Sequence, residues 1–288
     1  MTRPIRSITI STHARANASG PALARVIELA LEAGVRVRVP PDEVEKHRIE
    51  PADGIDLGAD PKGDTDLAVV LGGDGSILTA LRRYAGRDVP VFALNFGEIG
   101  FLATVEPDDL DAGIHRALSG DFETLPLPAL IAQAPGDPDE ALAVNDISFH
   151  RRVNARVAEL SYSVSGEQLG AVRCDGLVVS TPAGSTGYNL ANGGPVLAWG
   201  VKGFVVSFIA PHTLTARSLV VAPGDVLEVM NASREEPVDM TADGREDREL
   251  AAGESVKVRF EDGHALLAQA PGATFYNRLR DKFGRLAS

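Results

Sequence analysis

The chain has 288 residues, 44% of them apolar and 24% charged, the balance of a soluble globular protein rather than of a disordered, collagen-like or coiled-coil one. At roughly 150 residues per domain, its length predicts about two domains with cores of their own. The formal charge of −12 argues against a dedicated nucleic-acid binder, which presents a basic face, while leaving room for small anions held by local arginines or helix ends.

Arg6 to Ser11 reads as a first strand, and Pro21 to Ala33 as a helix with Leu23, Val26, Ile27, Ala30 and Leu31 on one side and Pro21 in its first turn. Val35 to Val39 alternates with arginines, as an edge or second strand would, and the polar stretch Val44 to Lys62 reads as a connection. Leu67 to Leu71 is a short continuous apolar run, the signature of a buried parallel strand. A glycine loop follows, then a helix carrying Ile77, Leu78, Leu81 and Tyr84 on one face, a strand over Val89 to Leu94, and a helix over Pro107 to Leu118. This alternation predicts a parallel α/β sheet.

The character changes near Leu125, where short apolar or alternating runs take over: Ala141 to Phe149, Val157 to Val164, Leu177 to Ser180, Phe204 to Ile209, Val226 to Met230 and Ser255 to Phe260. Asp243-Gly244 and Asp262-Gly263 are dipeptides of the kind that close hairpins, so this half is expected to be β-rich. Phe275 to Leu286 reads as a terminal helix with Phe275, Leu279, Phe283 and Leu286 as its apolar positions. The single cysteine, Cys174, cannot form an internal disulfide. The N-terminus lacks a signal-peptide core, and no window approaches the roughly 18 apolar residues of a membrane span, so a cytoplasmic protein with no membrane partner is expected.

Two segments stand out chemically. Gly72-Gly73-Asp74-Gly75-Ser76 joins the buried strand to the next helix, where small residues permit close backbone approach and the helix amides can hold a phosphate. Asp74 beside such a site calls for a metal ion or a proton-transfer role, such as a general base, unless it only caps the helix. Neither G-x-x-x-x-G-K-[ST] nor G-x-G-x-x-G occurs here, since Leu78 stands where the third glycine of the latter would fall. The second segment, Arg173 to Asn189, again runs from a strand into a small-residue loop and then a helix, closed by Asn192-Gly193-Gly194-Pro195. Thr186, Tyr188 and Asn189 offer it hydroxyl and amide groups. Between the two lie Asn95-Phe96-Gly97-Glu98-Ile99-Gly100-Phe101 and Asn145-Asp146, the latter an amide–carboxylate pair suited either to ribose and adenine or to a plain turn.

Taken in order, Gly72-Gly73-Asp74-Gly75, Asn95-x-Gly-x-x-Gly-Phe101, Asn145-Asp146, Asp175-Gly176, Thr181-Pro182-x-Gly-Ser-Thr-x-Tyr188-Asn189, Gly193-Gly194-Pro195 and Pro211-His212-x-Leu214-x-x-Arg217 resemble the NAD kinases. The Gly-Gly-Asp-Gly element occurs in lipid kinases and phosphofructokinases too; the long Thr-Pro-x-Gly-Ser-Thr segment is the more specific. The resemblance implies an α/β N-terminal domain, residues 1–124, with 268–288 packing back onto it. It also implies a β-rich domain over 125–267, NAD in the cleft between them, and a homodimer or homotetramer. It further implies Asp74 as general base, and NAD contacts from Asp74, Gly75, Asn145, Asp146, Arg156, Arg173, Asp175 and Ala183. Thr186, Gly187, Tyr188, Asn189, Leu190 and Ala191 would line the adenosine pocket, with Phe101, His212 and Arg245 as further candidates. Gly187, Ala191, Ser76 and Arg245 depart from the residues usual at those places. The implied reaction moves a phosphoryl group from ATP or inorganic polyphosphate to the 2′-hydroxyl of the adenosine ribose of NAD, with a divalent ion, Mg²⁺, on the donor phosphates. The alternatives are a lipid kinase, which the Thr181 to Asn189 segment disfavours, and a non-catalytic NADP sensor, which Asp74 disfavours.

Overall fold

A computed structural model describes residues 4–13, 16–97, 100–153 and 156–284. The chain divides into two compact units, Met1–Pro126 with Ala265–Ser288, and Leu127–His264.

The first unit holds β1 (Ser7–Thr12), α1 (Ala16–Glu32), β2 (Arg36–Val39), α2 (Pro41–His47), β3 (Ile55–Leu57), β4 (Leu67–Gly72), α3 (Asp74–Arg83), β5 (Val91–Asn95) and α4 (Leu110–Ser119), the last preceded by a 3₁₀ turn at Pro107–Asp109. Its strands lie in the order β5-β4-β1-β2-β3, all parallel. β4 is buried along its whole length, which explains why its sequence is continuously apolar rather than alternating. Ile8, Ile10, Val37, Val69, Leu71 and Leu94 from the sheet share one core with Val26 of α1 and Ile114 of α4. On α3, Ile77, Leu78 and Leu81 are buried, as their spacing predicts.

Two local expectations are corrected. α1 starts at Ala16, so Pro21 lies inside it rather than in its first turn, and the carbonyl four residues earlier loses its helical partner. β2 is the second strand, one of the two placements its alternation allowed, and β3 pairs beside it. The stretch read as a connection from Val44 onward contains the end of α2 and all of β3. The signals of α2 are present: Pro41 in its first turn, Asp42 and Glu43 following, Lys46 and His47 at the end, and Arg48 closing it at φ 51°.

The second unit begins within β6 (Glu123–Gln133) and continues through β7 (Ala141–Ala143), β8 (Asp146–Arg151), β9 (Ala158–Val164), β10 (Glu167–Cys174) and β11 (Gly176–Ser180). A single helical turn, α5 (Tyr188–Ala191), precedes β12 (Phe204–Ile209), β13 (Leu219–Val221), β14 (Leu227–Asn231), β15 (Val238–Ala242), β16 (Arg245–Leu250) and β17 (Ser255–Gln269). One antiparallel sheet runs β13-β12-β11-β8-β15-β16, and β10-β9-β14-β17 forms another antiparallel set. Phe149, Leu177 and Phe204 from the first share a single core with Leu160, Val229 and Val256 from the second, as two sheets packed face to face require.

Asp243-Gly244 closes the β15–β16 hairpin with both residues at positive φ, 49° and 71°, the two-residue turn its sequence announces. Asp262-Gly263 does not close a hairpin. It lies inside β17, where Gly263 at φ 64° lets one long strand bend without ending. Beyond it, β17 re-enters the first unit and pairs in parallel with β5 at Leu267 and Val91. α6 (Phe275–Phe283) then ends the described chain; Leu286 lies outside the described residues. Among the described residues, no helix is long and apolar enough to cross a membrane.

Candidate functional site

In the first unit, β4 hands the chain to α3 through Gly73, whose carbonyl accepts the amides of Ser76 (2.9 Å) and Ile77 (3.1 Å). Gly73 is therefore the N-cap, and Asp74 does not cap its own helix. Its carboxylate instead accepts backbone N–H groups from another loop, Phe101 to Oδ2 (2.8 Å) and Leu102 to Oδ1 (3.1 Å). That approach explains the neighbouring glycines. A Cβ on Gly97 would lie 2.9 Å from the Gly73 Cα, and one on Gly100 would lie 3.1 Å from Asp74 Oδ1. Asn95 supports the same loop, donating to Glu106 Oε2 (2.9 Å) and accepting the Gly97 amide (3.1 Å). Glu98 and Ile99, within the motif, lie outside the described residues.

Burial pushes the Asp74 carboxyl above the ordinary carboxylate range; the two amides, Arg278 and Lys282 act against this without cancelling it. A partly buried carboxylate tuned upward is a stronger proton acceptor than an ordinary one. Phe101 presents its backbone, not its ring, to this carboxylate. The ring packs against Phe275 (5.8 Å) and Phe283 (6.0 Å) of α6. Sequence reasoning read α6 only for its apolar face and passed over Arg278 and Lys282, whose spacing of four places them on one helical side.

The second unit assembles the remaining candidates. β7 ends at Ala143 and β8 begins at Asp146, so the apolar run Ala141 to Phe149 is two strands joined at Val144-Asn145. The cause is Asp243, whose carboxylate accepts the amides of Val144 (3.0 Å), Asn145 (2.7 Å) and Asp146 (3.1 Å). Sequence reasoning saw only a turn residue there. Thr181 locks the other side, its hydroxyl donating to the Val144 carbonyl (2.6 Å) and accepting the Gly184 amide (3.1 Å). At Gly184 any Cβ would collide with the Asn145 carbonyl. The Asn145 Oδ1 so positioned is buried and has no hydrogen-bond partner among the described residues, an acceptor that a ligand N–H or O–H would satisfy.

Asp146 is buried, and desolvation, with the Asp243 carboxylate second, lifts it to about 7. Tyr188 lies in the field of both Asp146 and Asp175, which add to burial in raising its phenol. Its ring stacks on His150 at 5.6 Å and 12°. Burial lowers the His150 imidazole, and His150 Nε2 pairs with Ser148 Oγ (2.8 Å), itself paired with Thr241 (2.7 Å). Arg151 Nε donates to Asp175 Oδ1 (2.5 Å). His150 and Arg151 were both passed over because they follow the apolar run that ends at Phe149; they form the less buried end of β8.

The Thr181 to Asn189 loop is partly scaffold. Asn189 is fully buried, with Nδ2 donating to the carbonyls of Ser185 (3.0 Å) and Pro195 (2.9 Å), so its donors hold the fold rather than a ligand. Ser185 ties the loop to the Leu197 amide (2.9 Å), and the Thr186 hydroxyl donates to the Ala183 carbonyl (3.2 Å). Ala183 is buried and Leu190 half-buried, while Gly187, Tyr188 and Ala191 face solvent. A Cβ at Gly187 would meet only the Gly184 carbonyl, at 3.3 Å, so the usual alanine would need a small adjustment. Arg156, Arg173, His212 and Arg245 are exposed. The His212 amide donates to the Arg173 carbonyl (2.7 Å), but no described side-chain interaction joins Arg156, Arg173 or His212 to the Asn145–Asp146 group. Among the described residues no group of three or more His, Cys, Asp or Glu is placed to hold a metal ion.

Family models for the ATP-NAD kinase N-terminal domain and the ATP-NAD kinase C-terminal domain match residues 29–122 and 144–269. The NAD kinase of Gemmatimonas aurantiaca is 38% identical over 225 residues, 76% of this chain and 77% of that one. That of Bifidobacterium longum subsp. infantis is 33% identical over 287 residues, 96% of this chain and 82% of that one. Among solved structures, yeast NADH kinase complexed with NADH superposes with a TM-score of 0.90 at 22% identity, covering 99% of this chain and 89% of that one. An NAD kinase from Archaeoglobus fulgidus in complex with ATP gives 0.69 at 24% identity, covering 96% of each chain. Identities this low establish the fold alone; the family follows from the two domain matches and the closer relatives. The chain belongs to the NAD kinase family.

Proposed function

We propose that this NAD kinase transfers the terminal phosphoryl group of ATP or inorganic polyphosphate to the 2′-hydroxyl of the adenosine ribose of NAD, with Asp74 as general base. The observation that carries this reading is the Asp74 carboxylate itself, fixed by two backbone amides at the end of a parallel strand and held above its ordinary pKa. The carboxylate takes the hydroxyl proton as the ribose oxygen forms its bond to phosphorus. The bond from phosphorus to the donor's bridging oxygen breaks, and the shortened donor leaves with that electron pair. Gly75, exposed in the first turn of α3, leaves the helix amides open to phosphate.

NAD recognition is assigned to Asn145, Asp146, Asp175, Thr186 and Tyr188, with Ala183, Gly187, Leu190 and Ala191 shaping the adenosine pocket and Asn189 holding its wall. Arg156 and Arg173 remain candidates for the dinucleotide's phosphates, being exposed cations. The NADH held by yeast NADH kinase and the ATP held by the Archaeoglobus enzyme support dinucleotide and triphosphate as the ligand classes. A divalent ion, Mg²⁺, is assigned to the donor, where it would neutralise phosphate charge.

Incubating the purified chain with NAD, Mg²⁺ and either ATP or polyphosphate, followed by detection of NADP, tests the reaction and identifies the donor. Asp74→Asn is expected to lose ~10²–10⁴-fold in turnover while still binding NAD. Near-normal turnover in that variant would remove Asp74 from the role of base.

A further inference from the structure

The loop that holds Asp74 is itself held by α6. Arg278 Nη1 donates to the Phe101 carbonyl (3.0 Å) and to the Ala103 carbonyl. The Phe101 carbonyl and the Leu102 N–H belong to one peptide group, and that N–H donates to Asp74 Oδ1. A charged donor on the carbonyl polarises the peptide and strengthens its amide as a donor at the other end. Guanidinium, peptide and carboxylate thus form one hydrogen-bonded chain. The Phe101 amide supplies the second contact to Asp74, and its ring is packed by Phe275 and Phe283 from the same helix.

We propose that Arg278 is a positioning residue for phosphoryl transfer, holding the 101–102 peptide so that Asp74 keeps the orientation and the ionised state in which it accepts the hydroxyl proton. The inference rests on the reading of Asp74 as the base. Among the described residues, the charges acting on Asp74 are Arg278 and Lys282, both on α6; Glu106 acts on Arg278 and pairs with Lys282 (3.4 Å). Removing the guanidinium takes away one of these cations and weakens an amide that favours the carboxylate. Both changes raise the pH at which Asp74 becomes a base.

The test compares pH profiles of kcat, with KM for NAD, in the full chain and in Arg278→Met, Arg278→Gln and Arg278→Lys. Arg278→Met is expected to lose about tenfold in kcat at neutral pH, the scale of one charge-assisted hydrogen bond, with KM nearly unchanged and the acid limb moved to higher pH. Gln restores a donor without charge, so kcat recovers in part while the limb stays displaced. Lys restores charge, so the limb moves back toward its original position. Should Arg278→Met fail to fold, the Gln and Lys variants decide the matter alone. An acid limb that stays in place across the folded variants, whatever happens to kcat, overturns the inference. Asp74→Asn separates the two readings. If it retains turnover, the base assignment fails; if it is inactive while the limb ignores Arg278, only the role of Arg278 fails.

Discussion

Asp74 and Asp146 are both carboxyls lifted by burial, yet their surroundings give them different consequences. Asp74 accepts two amides and feels two cations, so its rise is opposed. The acid limb of kcat in the unmodified chain is therefore expected above the usual carboxylate range: below Asp74's folded pKa the base is protonated, and activity rises with pH through it. A profile flat down to pH 4 under saturating substrates would contradict this. Asp146 has no such opposition, and the neighbouring Asp243 carboxylate adds to its rise. With a folded value of about 7 against an unfolded value of 3.8, the folded state keeps the proton that the unfolded state releases. Stability from this group is complete below pH 4, falls as pH rises, and is lost above 7, a change of order 4 kcal/mol at ~1.4 kcal/mol per pH unit. Asp146→Asn removes the titration, so denaturant midpoints of the ligand-free variant at pH 5 and pH 8 are expected to differ less than those of the unmodified protein. An unchanged pH dependence would place Asp146 in a wetter setting than its burial indicates.

At the scale of elements, the Asn145-Asp146 segment shows why a motif can be visible while its construction is not. The residue types announce a polar pair in an apolar run, and Asp243-Gly244 announces a hairpin. Nothing local announces that the hairpin's carboxylate reaches across about a hundred residues of sequence to three amides of that pair. The same limit explains Asp262-Gly263, which carries a turn's residues yet serves as a bend because β17 has partners on both sides of it. Where local chemistry suffices, it was legible: β4 from its unbroken apolar run and α3 from its spacing, whereas α2 was missed because polar residues on both sides obscured its end signals. Gly184→Ala tests the built segment. Its Cβ must displace the Asn145 carbonyl, so a loss of at least ~1 kcal/mol in stability is expected, within the 1–3 kcal/mol range of overpacking. NAD affinity should fall with it. Equal melting temperature and equal affinity in calorimetry would show that the segment yields freely.

The first unit is discontinuous in sequence, and this governs how the whole chain folds. It leaves that unit at Pro126 and returns at Ala265, after the second unit has been completed. What returns is structural. Leu267 pairs with Val91 of β5, the Ala268 carbonyl accepts the Thr104 hydroxyl (2.7 Å), and Leu267, Ala268 and Phe275 are buried. Full burial of a leucine or phenylalanine contributes about 1.5–3 kcal/mol each, so Leu267 and Phe275 alone approach the lower end of a domain's net stability of ~5–15 kcal/mol. A chain ending at His264 is therefore expected to contain an unfolded or molten first unit beside a folded second one. Hydrogen exchange separates the two cases. Amides of β4 and β5 should exchange rapidly in the shortened chain, while those of β11 and β12, whose partners β8 and β13 lie wholly within the second unit, should stay protected. Protected β4 and β5 amides would mean that residues 1–126 fold unaided, leaving the terminal segment the more local task of holding the loop beside Asp74.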